Sequence, residues 1–122
     1  MTMRAILIAR IKEGTPSEFY RILVDRLWPR GIRKDQTFWQ EWLPEVAPST
    51  QLRRYFHGHW DDLDTFRIRY LHELRNNTSS QLQRLFTLVQ TRPVALLTFS
   101  RDIERSQVPI LREFLKREAH DE

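Results

Sequence analysis

The sequence predicts an α/β fold: a small, mostly parallel, Rossmann-like sheet in three layers, flanked by helices. Three observations predict it. Apolar runs of strand length stand at Ala5–Ile11, Ile22–Leu27 and Val94–Phe99. Between the second and third runs, apolar residues recur mainly at helical spacing. The third run passes within a few residues into another amphipathic stretch, so strands and helices alternate along the chain.

Ala5–Ile11 reads as a first strand. Thr15 and Glu18 have capping-box spacing around Pro16, and a helix there has room for one turn before the second strand begins. A parallel crossover ordinarily takes a dozen or more residues, so the first two strands pair either antiparallel or through a cramped crossover. After Gly31 the pattern is helical for about sixty residues. Asp35 heads a first helix with Phe38, Trp39, Trp42 and Leu43 on one face, closed by Pro44. Ser49 heads a second, carrying Leu52, Tyr55 and Phe56 and ending at Gly58. Asp61 or Asp62 starts a third, with Phe66, Tyr70 and Leu74 inward. Ser79 or Ser80 starts a fourth, with Leu82, Leu85 and Val89 inward, and Pro93 ends it. Val94–Phe99 is apolar throughout and reads as the central strand. Val108–Arg117 forms the last helix, with Pro109 in its first turn.

The 122 residues suit a single domain, 1–122. Four Trp, three Tyr and seven Phe supply a real core, and 30% charged residues fit a globular chain. Net charge is +4, and only Lys12, Lys34 and Lys116 of the twenty basic residues are lysine. Arginine suits bidentate binding of carboxylate and phosphate, although its even spread here also fits solvated helix faces. The absence of cysteine excludes disulfides, thiol nucleophiles and thiolate metal sites. Met1–Ile11 is too short and too charged for a signal peptide or a membrane span, so the expected location is cytoplasmic, with no membrane partner.

The chemistry concentrates where the second strand ends, at Asp25-Arg26-Leu27-Trp28-Pro29-Arg30-Gly31. A right-handed parallel crossover to the third strand would put both carboxyl ends on one side of the sheet. Asp25, Arg26 and Arg30 would then face Ser100, Arg101 and Asp102 across the crevice where open α/β sheets bind ligands. Arg26, Arg30 and Arg101 are the candidate anion-binding residues, and Asp25 and Asp102 the candidate acid–base groups. An Asp25–Arg pair that merely braces the strand end is an equal reading. Trp28 and Gly31 shape the turn, with Trp28 a candidate stacking surface. His57, His59, Asp61 and Asp62 have metal-like composition, but the aspartates are well placed as helix caps, so no metal is expected. With three glycines and no phosphate loop, serine elbow or HExxH, no cofactor is expected either. Three functional classes remain. One is a binder, or an enzyme, for a small anion. The second is a nucleic-acid module using Arg26, Arg30, Arg33, Lys34, Arg53 and Arg54. The third is an interaction or self-associating domain presenting the tryptophan helix at 35–43. Oligomeric state is left open.

The string Tyr20-Arg21-Ile22-Leu23-Val24-Asp25-Arg26-Leu27-Trp28-Pro29-Arg30-Gly31 resembles the signature of the YeaO-like branch of the family called domain of unknown function 488. Glu41-Trp42-Leu43, Ala47-Pro48-Ser49, Leu52-Arg53, Arg69-Tyr70, Leu96-Leu97 and Asp102 continue the likeness over nearly the whole chain. The resemblance implies a compact α/β fold, a bacterial or archaeal cytosolic protein and no established activity. Two departures stand out. Where the family usually shows Lys-Asp-x-Glu-His-Asn, this chain has Arg101-Asp102-Ile103-Glu104-Arg105-Ser106. The usual Gly-His is altered to His57-Gly58-His59. Loss of the first imidazole favours binding or structure over catalysis.

Overall fold

The computed structural model describes residues 5–59 and 61–120. Its sheet has four parallel strands: β1 (Ile6–Arg10), β2 (Tyr20–Leu23), β3 (Glu41–Trp42) and β4 (Val94–Thr98). Their spatial order is β1-β4-β2-β3. β4 is buried along its whole length, as its unbroken apolar run requires of a strand covered on both faces. β1 and β2 therefore do not pair with each other; each pairs in parallel with β4. The segment joining them crosses over β4 without a helix. Thr15 to Glu18 form part of a turn, closed by the Phe19 N–H donating to the Pro16 carbonyl at 3.1 Å, and not the expected helical turn.

The pleat divides the core in two. Ile8 and Ile22 both stand in register with Leu96, and that row packs with the helices. Ala9 and Leu23 both stand in register with Leu97, on the opposite face. The helices are α1 (Thr50–Gly58), α2 (Leu63–Arg75), α3 (Ser80–Thr91) and α4 (Val108–His120). Ser49, Asp62 and Ser79 cap the first three, each accepting from a backbone N–H three residues on, at 3.1, 3.2 and 3.3 Å. All four send their buried apolar residues to the first face. Tyr70, fully buried there, places its hydroxyl 2.7 Å from the Val46 carbonyl. That bond satisfies a polar group which would otherwise be costly to bury.

The opposite face is covered by coil. The helix expected at 35–43 does not form. Asp35 pairs with Arg33, its carboxylate bound at 3.1 and 2.8 Å. The Gln40 and Leu43 N–H groups donate to Arg21 and Leu23 carbonyls at the edge of β2. Glu41 and Trp42 thereby become the edge strand β3. A nine-residue helix is marginal alone, and the open edge of β2 satisfies the same backbone groups while the tryptophans bury against the sheet. Trp28 meets Trp39 and Trp42 edge-on, with ring centroids 5.2 and 5.3 Å apart. The expected tryptophan helix is therefore not available as a docking face. Among the described residues, no helix is long and apolar enough to cross a membrane.

Candidate functional site

β2 and β4 are neighbours, so the chain segments leaving their carboxyl ends run side by side. The Val24 N–H extends the pairing to the Leu97 carbonyl at 3.1 Å. One residue later, the Asp25 carboxylate crosses to the other segment. Oδ1 accepts from the Thr98 hydroxyl at 2.7 Å and from Gln107 Nε2 at 2.9 Å. Oδ2 accepts from the Phe99 N–H at 2.7 Å. Gln107 Nε2 also donates to the Val24 carbonyl at 3.1 Å. Asp25 thus ties β2, β4 and the approach to α4 together. Both its oxygens are engaged, an arrangement suited to bracing and not to proton transfer.

Arg26 turns away from the strands. Its Nε and Nη2 donate to the Pro48 and Ala47 carbonyls at 3.2 and 2.9 Å, which fixes the segment ahead of α1. Trp28 donates from Nε1 to the Ile32 carbonyl at 2.6 Å, closing the turn in which Gly31 adopts φ +84°. That conformation is cheap only for glycine. Trp28 packs its ring against Trp39 and Trp42, so its main contacts are internal.

Around Asp25 lies a cleft of about 420 Å³. Its walls come from the turn after β2, the Ala47–Pro48 segment, α1, and residues 98–107. Arg26, Arg30, Arg53 and Arg105 line it, with His57 beside them. Among the described residues, Asp25 is the single carboxylate that lines it. Arg30 and His57 are exposed, and Arg53 is partly so. Among the described residues, Arg30 and Arg53 form no ion pair. Ser106 and Gln107, immediately before α4, also line the cleft, so the positive end of that helix dipole lies at its wall.

Of the residues singled out in the sequence, Asp25, Arg26, Trp28 and Arg30 line the cleft together. Arg101 and Asp102 are exposed and do not line it. The Arg101 carbonyl instead accepts from Arg10 at 3.2 Å, and Asp102 precedes a single 3-10 turn at Ile103–Arg105. Arg53, His57 and Arg105 reach the cleft without having been assigned to it from sequence. Arg105 had left a signal, because it occupies the position where the resembling family usually has histidine. From sequence, Arg53 belongs with the candidate nucleic-acid-binding arginines, and His57 with the apparent metal cluster. That cluster disperses: His59 stacks on Tyr55 at 4.0 Å, and Asp62 caps α2. Trp60, between them, lies outside the described residues. Among the described residues, no group of three His, Asp or Glu side chains is placed to hold a metal ion.

A second groove, of about 730 Å³, runs between α1 and α2. Several of its polar groups serve each other. Glu73 accepts from the backbone N–H and hydroxyl of Ser49, and the Arg69 guanidinium lies 4.2 Å over the Tyr55 ring. Arg54 and Arg69, both exposed, line this groove, whereas the cleft at the strand ends gathers four arginines among the described residues.

Comparison with known proteins shows a family and adds no activity. Residues 5–122 match the family described as the inactive DUF488-N3 subclade. The chain is 41% identical over 100 residues to the uncharacterized protein YeaO of Escherichia coli, covering 82% of this chain and 86% of that one. It is 37% identical over 111 residues to the uncharacterized protein Rv3073c of Mycobacterium tuberculosis, covering 90% and 92% respectively. No solved structure matches it significantly.

Proposed function

The chain belongs to the DUF488 family, in the subclade described as inactive, and from that premise we propose that it binds a small phosphate- or carboxylate-bearing ligand without turning it over. The observation that carries the proposal is the lining of the cleft: Arg30 and Arg53, which form no ion pair among the described residues, stand with Arg26 and Arg105 around the Asp25 carboxylate, whose two oxygens are already engaged. Guanidiniums bind oxyanions bidentately, and a cleft raises their effect by lowering solvent access. Arg30 and Arg53 are assigned the anion itself, with the approach to α4 adding to the field. Arg26 is assigned to shaping the wall, because its bonds to Ala47 and Pro48 hold it there.

Two features support binding over catalysis. Both oxygens of Asp25 accept hydrogen bonds, and Asp102 does not line the cleft. The family's usual histidine is replaced by Arg105, which can hold an anion but cannot exchange a proton near neutrality. A small ligand is preferred to nucleic acid because the basic run at 26–34 is partly engaged internally, Arg26 with carbonyls and Arg33 with Asp35.

Thermal unfolding in graded phosphate, sulfate and citrate tests the proposal, since a ligand bound only by the folded state raises the melting temperature by mass action. The parent is expected to shift upward. Arg30→Ala and Arg53→Ala are expected to lose the shift while melting normally without ligand. Equal shifts in parent and variants would refute it.

A further inference from the structure

We infer that the ligand of this cleft is a mononucleotide, a planar base carrying a phosphate; this rests on the anion-binding reading above. The observation is an apolar lip beside the guanidiniums. Among the described residues, four large hydrophobic side chains are conspicuously exposed: Leu27, Phe38, Ile68 and Phe99. Two of them, Leu27 at 58% and Phe99 at 47%, line this one cleft. Exposed apolar residues scattered singly need no explanation, but two converging on a charged cleft do. Their positions follow from the sheet. Leu27 follows β2 and Phe99 follows β4, and Asp25 clamps the two segments by accepting the Phe99 N–H. The clamp holds the backbone at Phe99 while leaving its ring open to solvent. Phe56 and Phe66 continue the apolar lining inward.

An inorganic anion, or a small carboxylate, would use the arginines and leave this surface wet. A ligand with a flat apolar face and a phosphate uses both. Base–aromatic stacking is largely independent of base identity, and Arg30 and Arg53, lining the same cleft, supply phosphate donors. The volume, about 420 Å³, falls in the range of small-molecule sites, about 300–1,000 Å³.

Isothermal titration separates this inference from the one beneath it. The probes are adenosine 5′-monophosphate, uridine 5′-monophosphate, ribose 5-phosphate, inorganic phosphate and a short single-stranded oligonucleotide with a 5′-phosphate. Both mononucleotides are expected to bind about tenfold or more tightly than ribose 5-phosphate, the scale of one base–aromatic stack. Phe99→Ala is expected to remove that advantage and leave ribose 5-phosphate binding unchanged. Leu27→Ala should reduce it in part. Phe99 is half exposed, so its loss should leave folding intact, which unaltered thermal unfolding without ligand would establish. Equal binding of ribose 5-phosphate and the mononucleotides would overturn the inference and leave the anion site standing. Failure of every phosphate would remove both. Binding of the oligonucleotide but not the mononucleotides would overturn it in favour of nucleic acid.

Discussion

Asp25 and Gly31, six positions apart, hold the two ends of the same turn for different physical reasons. Asp25 is a carboxylate that accepts from three donors, with both oxygens engaged. Asp25→Asn presents an amide NH2 where a carboxylate oxygen now accepts, so at least one donor among Thr98, Phe99 and Gln107 loses its partner. A lost partner in a partly buried site costs about 1–3 kcal/mol. Equilibrium denaturation should show that fall, and a carboxylate acting only as an acid or base would leave stability unchanged. Gly31 has nothing within 4 Å of where a Cβ would stand, so only its φ of +84° matters. Gly31→Ala should cost about 1–2 kcal/mol through the left-handed conformation alone. A denaturation midpoint equal to the parent's would refute that account. The residues differ in how they announce themselves. Gly31 after Trp-Pro is readable as a turn from local chemistry. The role of Asp25 is not, because its donors lie more than seventy positions away.

At the scale of elements, β3 shows how tertiary contacts override a local pattern. Its two residues are held from two sides. Tyr20 on β2 donates its hydroxyl to the Glu41 carboxylate, and Arg84 on α3 binds the same carboxylate at 3.2 and 2.6 Å. The Arg84 guanidinium holds the Glu41 carboxyl below its ordinary value of 4.5. The hydrogen bond to Glu41 raises the Tyr20 phenol above 10.0. The signs then follow from linkage. Stability contributed by Glu41 is present above pH 4.5 and is lost as pH falls through its lowered folded value. Stability contributed by Tyr20 is present below pH 10.0 and is lost as pH rises through its raised folded value. Glu41→Gln should therefore flatten both limbs of a stability-against-pH curve relative to the parent, measured by denaturant midpoints from about pH 3 to 11. Parallel curves for parent and variant would refute the coupling. The elements that sequence reveals are those whose stabilisation is local. Ser49, Asp62 and Ser79 each sit just before a run with helical period, and each caps as its position suggests. Phe38, Trp39, Trp42 and Leu43 share that period, but their backbone partners are Arg21 and Leu23, which no window around residue 40 contains. The cleft divides in the same way. Its β2 side is continuous in sequence from Asp25 to Arg30, whereas Arg53, His57 and Arg105 arrive through the placement of α1 and the approach to α4.

For the whole molecule, the strand order makes the last strand the condition for the sheet. β1 and β2 meet only through β4, and Ile6 of β1 pairs with Val94, eighty-eight residues away. Of the pairings in the sheet, only the two-residue contact of β2 with β3 can form without β4. Loop closure of that length must precede any gain from pairing, so folding should be slow for the chain's size and should commit late. The same topology puts β4 at the centre of both core clusters, with Leu96 packed under the helices and Leu97 under the tryptophan layer. Leu96→Ala removes side-chain volume from a fully buried site and should cost about 2–5 kcal/mol, a large part of a domain's usual 5–15 kcal/mol. Hydrogen exchange tests the arrangement directly. Amides of β4 should exchange only with global unfolding, and those of β1 should share that rate, because β1 keeps no partner once β4 leaves, whereas β2 keeps only its two-residue contact with β3. The Glu41 and Trp42 amides belong to a two-residue edge and should open locally, well before the rest. A β1 that exchanges faster than β4 by many orders of magnitude would show that the sheet does not depend on its central strand, and would undo the claim that the cleft is assembled only when residues 94–107 dock against β2.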